Sequence, residues 1–295
     1  MKVVFATDGS KCSEEAARFL TRFHLSQKDE IIVLYVVSDI PYADDYHAQI
    51  RHAIKRVAPR ILRTSADILK PLKAKISTLE EEGLPDSSII EVATDSNADL
   101  IVMGARGLKG LKSFLLGSVT RSVAINSPVP LLVTRPVKWR VSGKMKVLFA
   151  TDGSHSATST ADLLASMPFP DDTEMTVINV AWSAASDIPE RLVLQMDEKI
   201  KDYIAKARAI EIQDSERTLD LAKAHLSGKF ASIKEVSRRG DPATEIIARA
   251  EALKVDLVAL GSRGLKGIKG MLGSVSRRVL GRAGCPVLLG KTGEK

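Results

Sequence analysis

Short runs of valine, isoleucine and leucine alternate along this 295-residue chain with longer stretches in which apolar positions recur every three or four residues. The runs fall at 3–6, 31–37, 76–79, 100–103 and 131–133, and again at 147–150, 175–181, 233–236, 257–260 and 287–289. Most are continuous rather than alternating, the pattern of parallel strands covered on both faces. Ser13, Glu14 and Glu15 place acids in a first helical turn ahead of Ala16, Ala17, Phe19 and Leu20. Pro85 precedes Ile89, Ile90 and Ala93, and Pro242 precedes Ile246, Ile247, Ala250 and Leu253, as suits a proline in a first turn. The middle segments 42–75 and 188–226 read as mainly helical, the first interrupted at Pro59 and Pro71. Strand and helix in alternation imply right-handed crossovers and an open, doubly wound parallel sheet. Each half supplies five strands and about four helices.

The pattern occurs twice because the sequence does. KVVFATDGS at 2–10 returns as KVLFATDGS at 146–154, an offset of 144. GARGLKGLK at 104–112 returns as GSRGLKGIK at 261–269, an offset of 157, so the second half carries 13 more residues (157 − 144) between the two motifs. PLLV at 130–133 returns as PVLL at 286–289. The expected organisation is a first domain over 1–136, a linker over 137–144, a second domain over 145–290 and a frayed tail.

In open parallel sheets ligands bind beyond the C-terminal strand ends, where the strand order reverses. Asp8-Gly9-Ser10 follows the first strand, and Asp152-Gly153-Ser154 follows its counterpart. One reading is turn chemistry with a serine cap. The other is a carboxylate that accepts from a ligand's base or sugar. After the fourth strand come Gly104 and Gly107, a nine-residue spacer, then Gly117 and Ser118. The glycines let backbone approach a ligand closely. The helix that Gly117 and Ser118 open presents free N–H groups to an anion, with the Ser118 and Thr120 hydroxyls as added donors. Neither GxxxxGK[ST] nor GxGxxG after the first strand is present. Arg106, Lys109, Lys112 and Arg121 surround the first loop, and Arg263, Lys266, Lys269, Arg277 and Arg278 the second. Cations suit a phosphate site; a solvated basic helix face accounts for several of them equally well.

The net charge of +7 raises nucleic acid as a partner, but aromatic residues are only 4% and the basic residues are dispersed, which argues against it. No apolar run approaches the ~20 residues of a membrane span, and MKVVFATDGS reads as an opening strand rather than a secretory leader. Cys12 and Cys285 form no CxxC motif, which fits a reducing cytoplasmic compartment. Cys12 stands near a helix start, a place that can lower a thiol pKa, though an ordinary small residue is the simpler reading. His24, His47, His52 and His225 show no metal spacing, and His155 reads as a surface residue where the first half has Lys11.

These motifs resemble the universal stress protein family, whose pattern is G-x2-G-x9-G-[ST] with an aspartate closing the first strand. The first half matches at Asp8, Gly104, Gly107, Gly117 and Ser118, and the resemblance extends over nearly the whole chain, twice. It implies α/β domains with five-stranded parallel sheets in the order 3-2-1-4-5, Rossmann-like and similar to the adenine nucleotide alpha hydrolases. It further implies ATP (or AMP or ADP) as ligand, with Mg2+ carried on the phosphates. By position, Thr7 and Asp8 would meet the adenosine end, the Val36 backbone the adenine edge, and Met103, Gly104, Arg106 and Gly107 the ribose and phosphates. Gly117, Ser118, Val119 and Thr120 would hold the phosphates. The corresponding residues of the second half are Thr151, Asp152, Val180, Leu260, Gly261, Arg263, Gly264, Gly273, Ser274, Val275 and Ser276. Its spacer has eight residues rather than nine, so weaker or shifted binding is expected there. The family's fifth strands often pair, which would make this chain an intrachain pseudo-dimer and leaves a further homodimer open. The implied role is a stress-response sensor or regulator read by a protein partner. The alternatives are a slow ATP hydrolase or related nucleotide-processing enzyme, and a structural role with empty sites.

Overall fold

The computed structural model describes residues 1–38, 45–107, 116–135, 143–181, 190–193, 195–265 and 271–292. In chain order the first half runs β1 (Lys2–Ala6), α1 (Lys11–Leu20), β2 (Glu30–Ser38), α2 (Asp45–Leu69), β3 (Lys75–Gly83), α3 (Pro85–Asp95), β4 (Leu100–Gly104), α4 (Ser118–Asn126) and β5 (Leu131–Thr134). The second runs β6 (Lys146–Ala150), α5 (His155–Ser166), β7 (Glu174–Ala181), α6 (Glu190–Val193), α7 (Glu198–Leu226), β8 (Ile233–Arg239), α8 (Pro242–Leu253), β9 (Leu257–Gly261), α9 (Ser274–Arg282) and β10 (Val287–Gly290). Much of the second half's additional length is taken up by α6 and the 29-residue α7.

Within each half the strands are parallel and follow the expected order 3-2-1-4-5. The two sheets are not separate. β5 and β10 pair antiparallel, Leu131 opposite Leu289 and Val133 opposite Val287. The result is one mixed ten-stranded sheet in the order β3-β2-β1-β4-β5-β10-β9-β6-β7-β8. This pairing removes two strand edges that would otherwise offer unpaired backbone groups.

The continuous apolar runs follow from burial on both faces. Val3, Phe5, Leu132, Val147, Phe149 and Leu288 point to one core, which takes in α1, α2, α5 and α7. Val4, Ala6, Leu131, Val133, Leu148 and Leu289 point to the other, with α3, α4, α8 and α9. Each core crosses the junction between halves. Phe23 of the first half lies 5.2 Å, centroid to centroid, from Phe169 of the second, which lies 5.6 Å from Phe230. Such aromatic pairs contribute about 0.5–1.5 kcal/mol each beyond their buried area.

The structure differs from the sequence pattern in two places. The outer strands β3 and β8 run past the apolar segments at 76–79 and 233–236, and Glu80, Glu82, Lys234, Glu235, Arg238 and Arg239 are exposed along them. Charge on an edge strand deters pairing with another chain. And α2 continues through Pro59, ending only at Leu69. Ala58, Leu62, Ser65 and Leu69 are buried at helical spacing while Pro59 is exposed, so packing of that face outweighs the hydrogen bond that proline removes.

The repeats also exchange bulk across one contact. A Cβ on Gly290 would stand 2.7 Å from the Cβ of Thr160. At the equivalent positions the first half has Thr134 and Ala16. Each half therefore holds one threonine at this helix–strand contact.

Candidate functional site

The turns after β1 and β6 are built alike. The Ser10 N–H donates to Asp8 Oδ1 (3.0 Å) and the Ser154 N–H to Asp152 Oδ1 (3.1 Å). Gly9 and Gly153 hold φ of +73° and +72°, which a side chain would strain. Ser10 accepts from the Ser13 N–H and Ser154 from the Ala157 N–H, each at 3.3 Å, capping α1 and α5. The turn-chemistry reading of both DGS motifs therefore holds for one carboxylate oxygen.

The other oxygen faces the glycine loop. A Cβ on Gly107 would stand 2.5 Å from Asp8 Oδ2, and one on Gly264 would stand 2.7 Å from Asp152 Oδ2. The Leu265 N–H donates to Asp152 Oδ2 (3.2 Å). The first glycine of each pair has another reason. A Cβ on Gly104 or Gly261 would stand 2.9 Å from the carbonyl carbon of Cys12 or Ser156, where helix and sheet meet.

Thr7 and Thr151 are buried, and their N–H groups extend the sheet to Leu34 O (2.9 Å) and Ile178 O (3.0 Å). The Thr7 hydroxyl serves the turn: it accepts from the Gly9 N–H (3.2 Å) and bonds Ser65 (2.9 Å). Val36 and Val180 each lie two residues beyond the last partner of the neighbouring strand, Leu34 and Ile178. Alternate residues of a strand turn their N–H and C=O to the same side, so both valines present a donor and an acceptor where β1 and β6 have ended. Met103 and Leu260 are buried in the core, one residue before the ends of β4 and β9. The Arg106 and Arg263 carbonyls accept weak 3.5 Å bonds from Ser10 and Ser154.

The N-termini of α4 and α9 close the site. The Gly117 N–H donates to Ala105 O and the Gly273 N–H to Ser262 O, both at 2.9 Å. The first backbone bond of each helix runs from the Arg121 N–H to Gly117 O and from the Arg277 N–H to Gly273 O. The N–H groups of Ser118, Val119 and Thr120, and of Ser274, Val275 and Ser276, thus precede that bond, and no side chain caps either helix. Ser118 and Ser274 are exposed. Thr120 is not an added donor: its hydroxyl donates to Gly104 O (3.0 Å), as Ser276 does to Gly261 O (2.7 Å).

In the second half these parts surround a cavity of about 420 Å³. All eleven residues named from the sequence line it, from Thr151 and Asp152 through Val180 to Ser276. Ile178, Ile246 and Leu272 add an apolar wall. This combination of an apolar wall and a few convergent polar groups is typical of small-molecule sites, which span about 300–1,000 Å³.

The cations divide. Arg277 lines the cavity. Arg278 does not: it donates to Asp241 Oδ2 (2.7 Å) and the Thr244 hydroxyl (3.2 Å), and this holds the Asp241 carboxyl down at about 2. The Arg263 guanidinium reaches the Thr292 hydroxyl. Lys109, Lys112, Lys266, Lys269 and linker residues 137–142 lie outside the described residues. Burial raises the Cys12 thiol pKa despite its place in the first turn of α1, and pushes Cys285 up to about 12. Sequence spacing had no means of revealing Asn179, whose Nδ2 donates to Thr151 O (2.8 Å) and fixes the carbonyl at the end of β6. No helix among the described residues is long and apolar enough to cross a membrane.

The sequence profile of the universal stress protein family matches residues 1–135 and again 144–291. A universal stress protein of Methanocaldococcus jannaschii is 35% identical over 141 residues, 46% of this chain and 83% of the relative. One from Synechocystis is 32% identical over 131 residues, 44% of this chain and 83% of the relative. The crystal structure of a universal stress protein from Archaeoglobus fulgidus superposes with a TM-score of 0.65 over 98% of both chains, at 23% identity, which marks a shared fold. The chain belongs to the universal stress protein family and carries the family domain twice in tandem.

Proposed function

We propose that this protein is a cytoplasmic, ATP-binding stress-response sensor or regulator, each half holding an adenine nucleotide at its strand ends. The observation that carries this reading is the second-half cavity of about 420 Å³ bounded by Gly261, Gly264, Gly273 and the α9 N-terminus. The residues fit such a ligand. The Val36 and Val180 backbones offer a donor and an acceptor to a base edge. The Asp8 and Asp152 carboxylates would accept from a ribose hydroxyl. The opening turns of α4 and α9 suit phosphates, since unpaired N–H groups and the helix dipole favour negative charge. Any Mg2+ would be carried on the phosphates of the bound nucleotide. Nucleotide occupancy would then be the state that a protein partner reads.

Denaturing the purified protein and identifying any released nucleotide by absorbance and mass spectrometry tests this. Release of ATP, ADP or AMP is expected. A preparation that releases none and takes up none when ATP is added would overturn the proposal. Phosphate release from added ATP separates a regulator from a slow hydrolase.

A further inference from the structure

Each helix whose N-terminus closes a site has its C-terminus held by a cation of the other half. Arg135, just after β5, donates to three carbonyls at the end of α9: Gly281 (3.0 Å), Ala283 (3.5 Å) and Leu280. Lys291, at the equivalent place after β10, donates to Ala124 O in α4 (2.6 Å). The arrangement follows from the antiparallel β5–β10 pair, which sets the end of each strand beside the start of the other and the helix leading into it.

These cations also adjoin the loops of their own half. The Ala105 N–H donates to Thr134 O (2.7 Å), one residue before Arg135, and the Ser262 N–H to Gly290 O (2.9 Å), one residue before Lys291. The Arg263 guanidinium bonds Thr292, one residue after Lys291. Hydrogen bonds joined by one residue step of backbone therefore link the glycine loop of one half to the C-terminus of the phosphate-facing helix of the other.

We infer that Arg135 and Lys291 are positioning residues in trans, Arg135 for the second nucleotide site and Lys291 for the first. Two physical effects act together. The last carbonyls of a helix lack intrahelical partners, and a donor that satisfies them fixes that end of the helix. Both helices have only nine residues, so fixing one end sets where the other points. A positive charge at the C-terminus also complements the helix dipole that attracts phosphate at the N-terminus. This inference rests on the nucleotide-binding reading above.

Photolabelling of the full chain with azido-ATP, followed by mass spectrometry of labelled peptides, resolves the two halves. Arg135→Ala should lower labelling of second-half peptides several-fold and spare the first half. Lys291→Ala should do the reverse. Arg135→Lys should recover part of the second-half signal. A merely structural role would instead lower the unfolding midpoint and both labels together. Variants that weaken their own half, both halves equally or neither half overturn the inference while nucleotide binding stands. A parent chain that takes no label removes both.

Discussion

Thr120 in α4 donates its hydroxyl hydrogen to the carbonyl of Gly104 at the end of β4, 3.0 Å away. The same bond joins Ser276 to Gly261 at 2.7 Å. It ties the helix N-terminus to the strand end. Thr120→Val keeps the shape and deletes the donor, leaving a buried carbonyl with one partner fewer. The expected cost is about 1–2 kcal/mol, read as a lower urea midpoint, with weaker nucleotide binding at the first site. An unchanged midpoint and affinity would show that the bond holds nothing in place.

The contact between Gly107 and Asp8 gives a second test. Gly107→Ala sets a methyl against Asp8 Oδ2, where a Cβ would stand 2.5 Å away. The carboxylate must swing aside, and nucleotide affinity at the first site should fall several-fold. In an Asp8→Ala background the same change should have little further effect. Additive losses in this double-mutant cycle would separate the glycine from the aspartate.

The exchange of bulk between the repeats predicts a rescue. Gly290→Thr drives a side chain into Thr160, against which a Cβ would already stand 2.7 Å away. Overpacking of this kind costs about 1–3 kcal/mol. Adding Thr160→Ala recreates the pair found in the first half and should restore most of the loss, as measured by denaturant unfolding. A double variant no more stable than Gly290→Thr alone would refute the pairing.

Lys291 makes stability depend on pH. Burial, with the nearby Arg263 charge, lowers it from 10.5 to about 8. Between those values the unfolded chain holds a proton that the folded chain lacks, so stability rises with pH across that window. Urea midpoints of Lys291→Met should lack this part of the rise. Parallel profiles for parent and variant would mean that Lys291 is not buried in the folded protein.

The central strands were legible because β1, β4, β5 and their counterparts are covered on both faces, so the sheet writes itself into continuous apolar runs. The edges were not. The charged faces of β3 and β8 end the apolar signal before the strands end. Pro59 misleads because its cost is local while the packing of Ala58 and Leu62 that offsets it is tertiary. At the site, glycine spacing located both loops, since close approach of backbone to Asp8, Cys12 and their counterparts tolerates no side chain. The duties of the polar groups stayed hidden. Arg278 finds Asp241 across 37 residues, and Arg135 finds Gly281 across 146, pairings that depend on topology rather than on spacing.

Isothermal titration with ATP of a chain carrying Gly117→Val and Ser118→Tyr bears most directly on nucleotide binding at the helix N-termini. The parent should bind at both halves, more weakly at the second, whose spacer is one residue shorter. The variant should lose the tighter phase and keep the weaker one. A variant that binds ATP with the parent's affinity and stoichiometry would contradict the account.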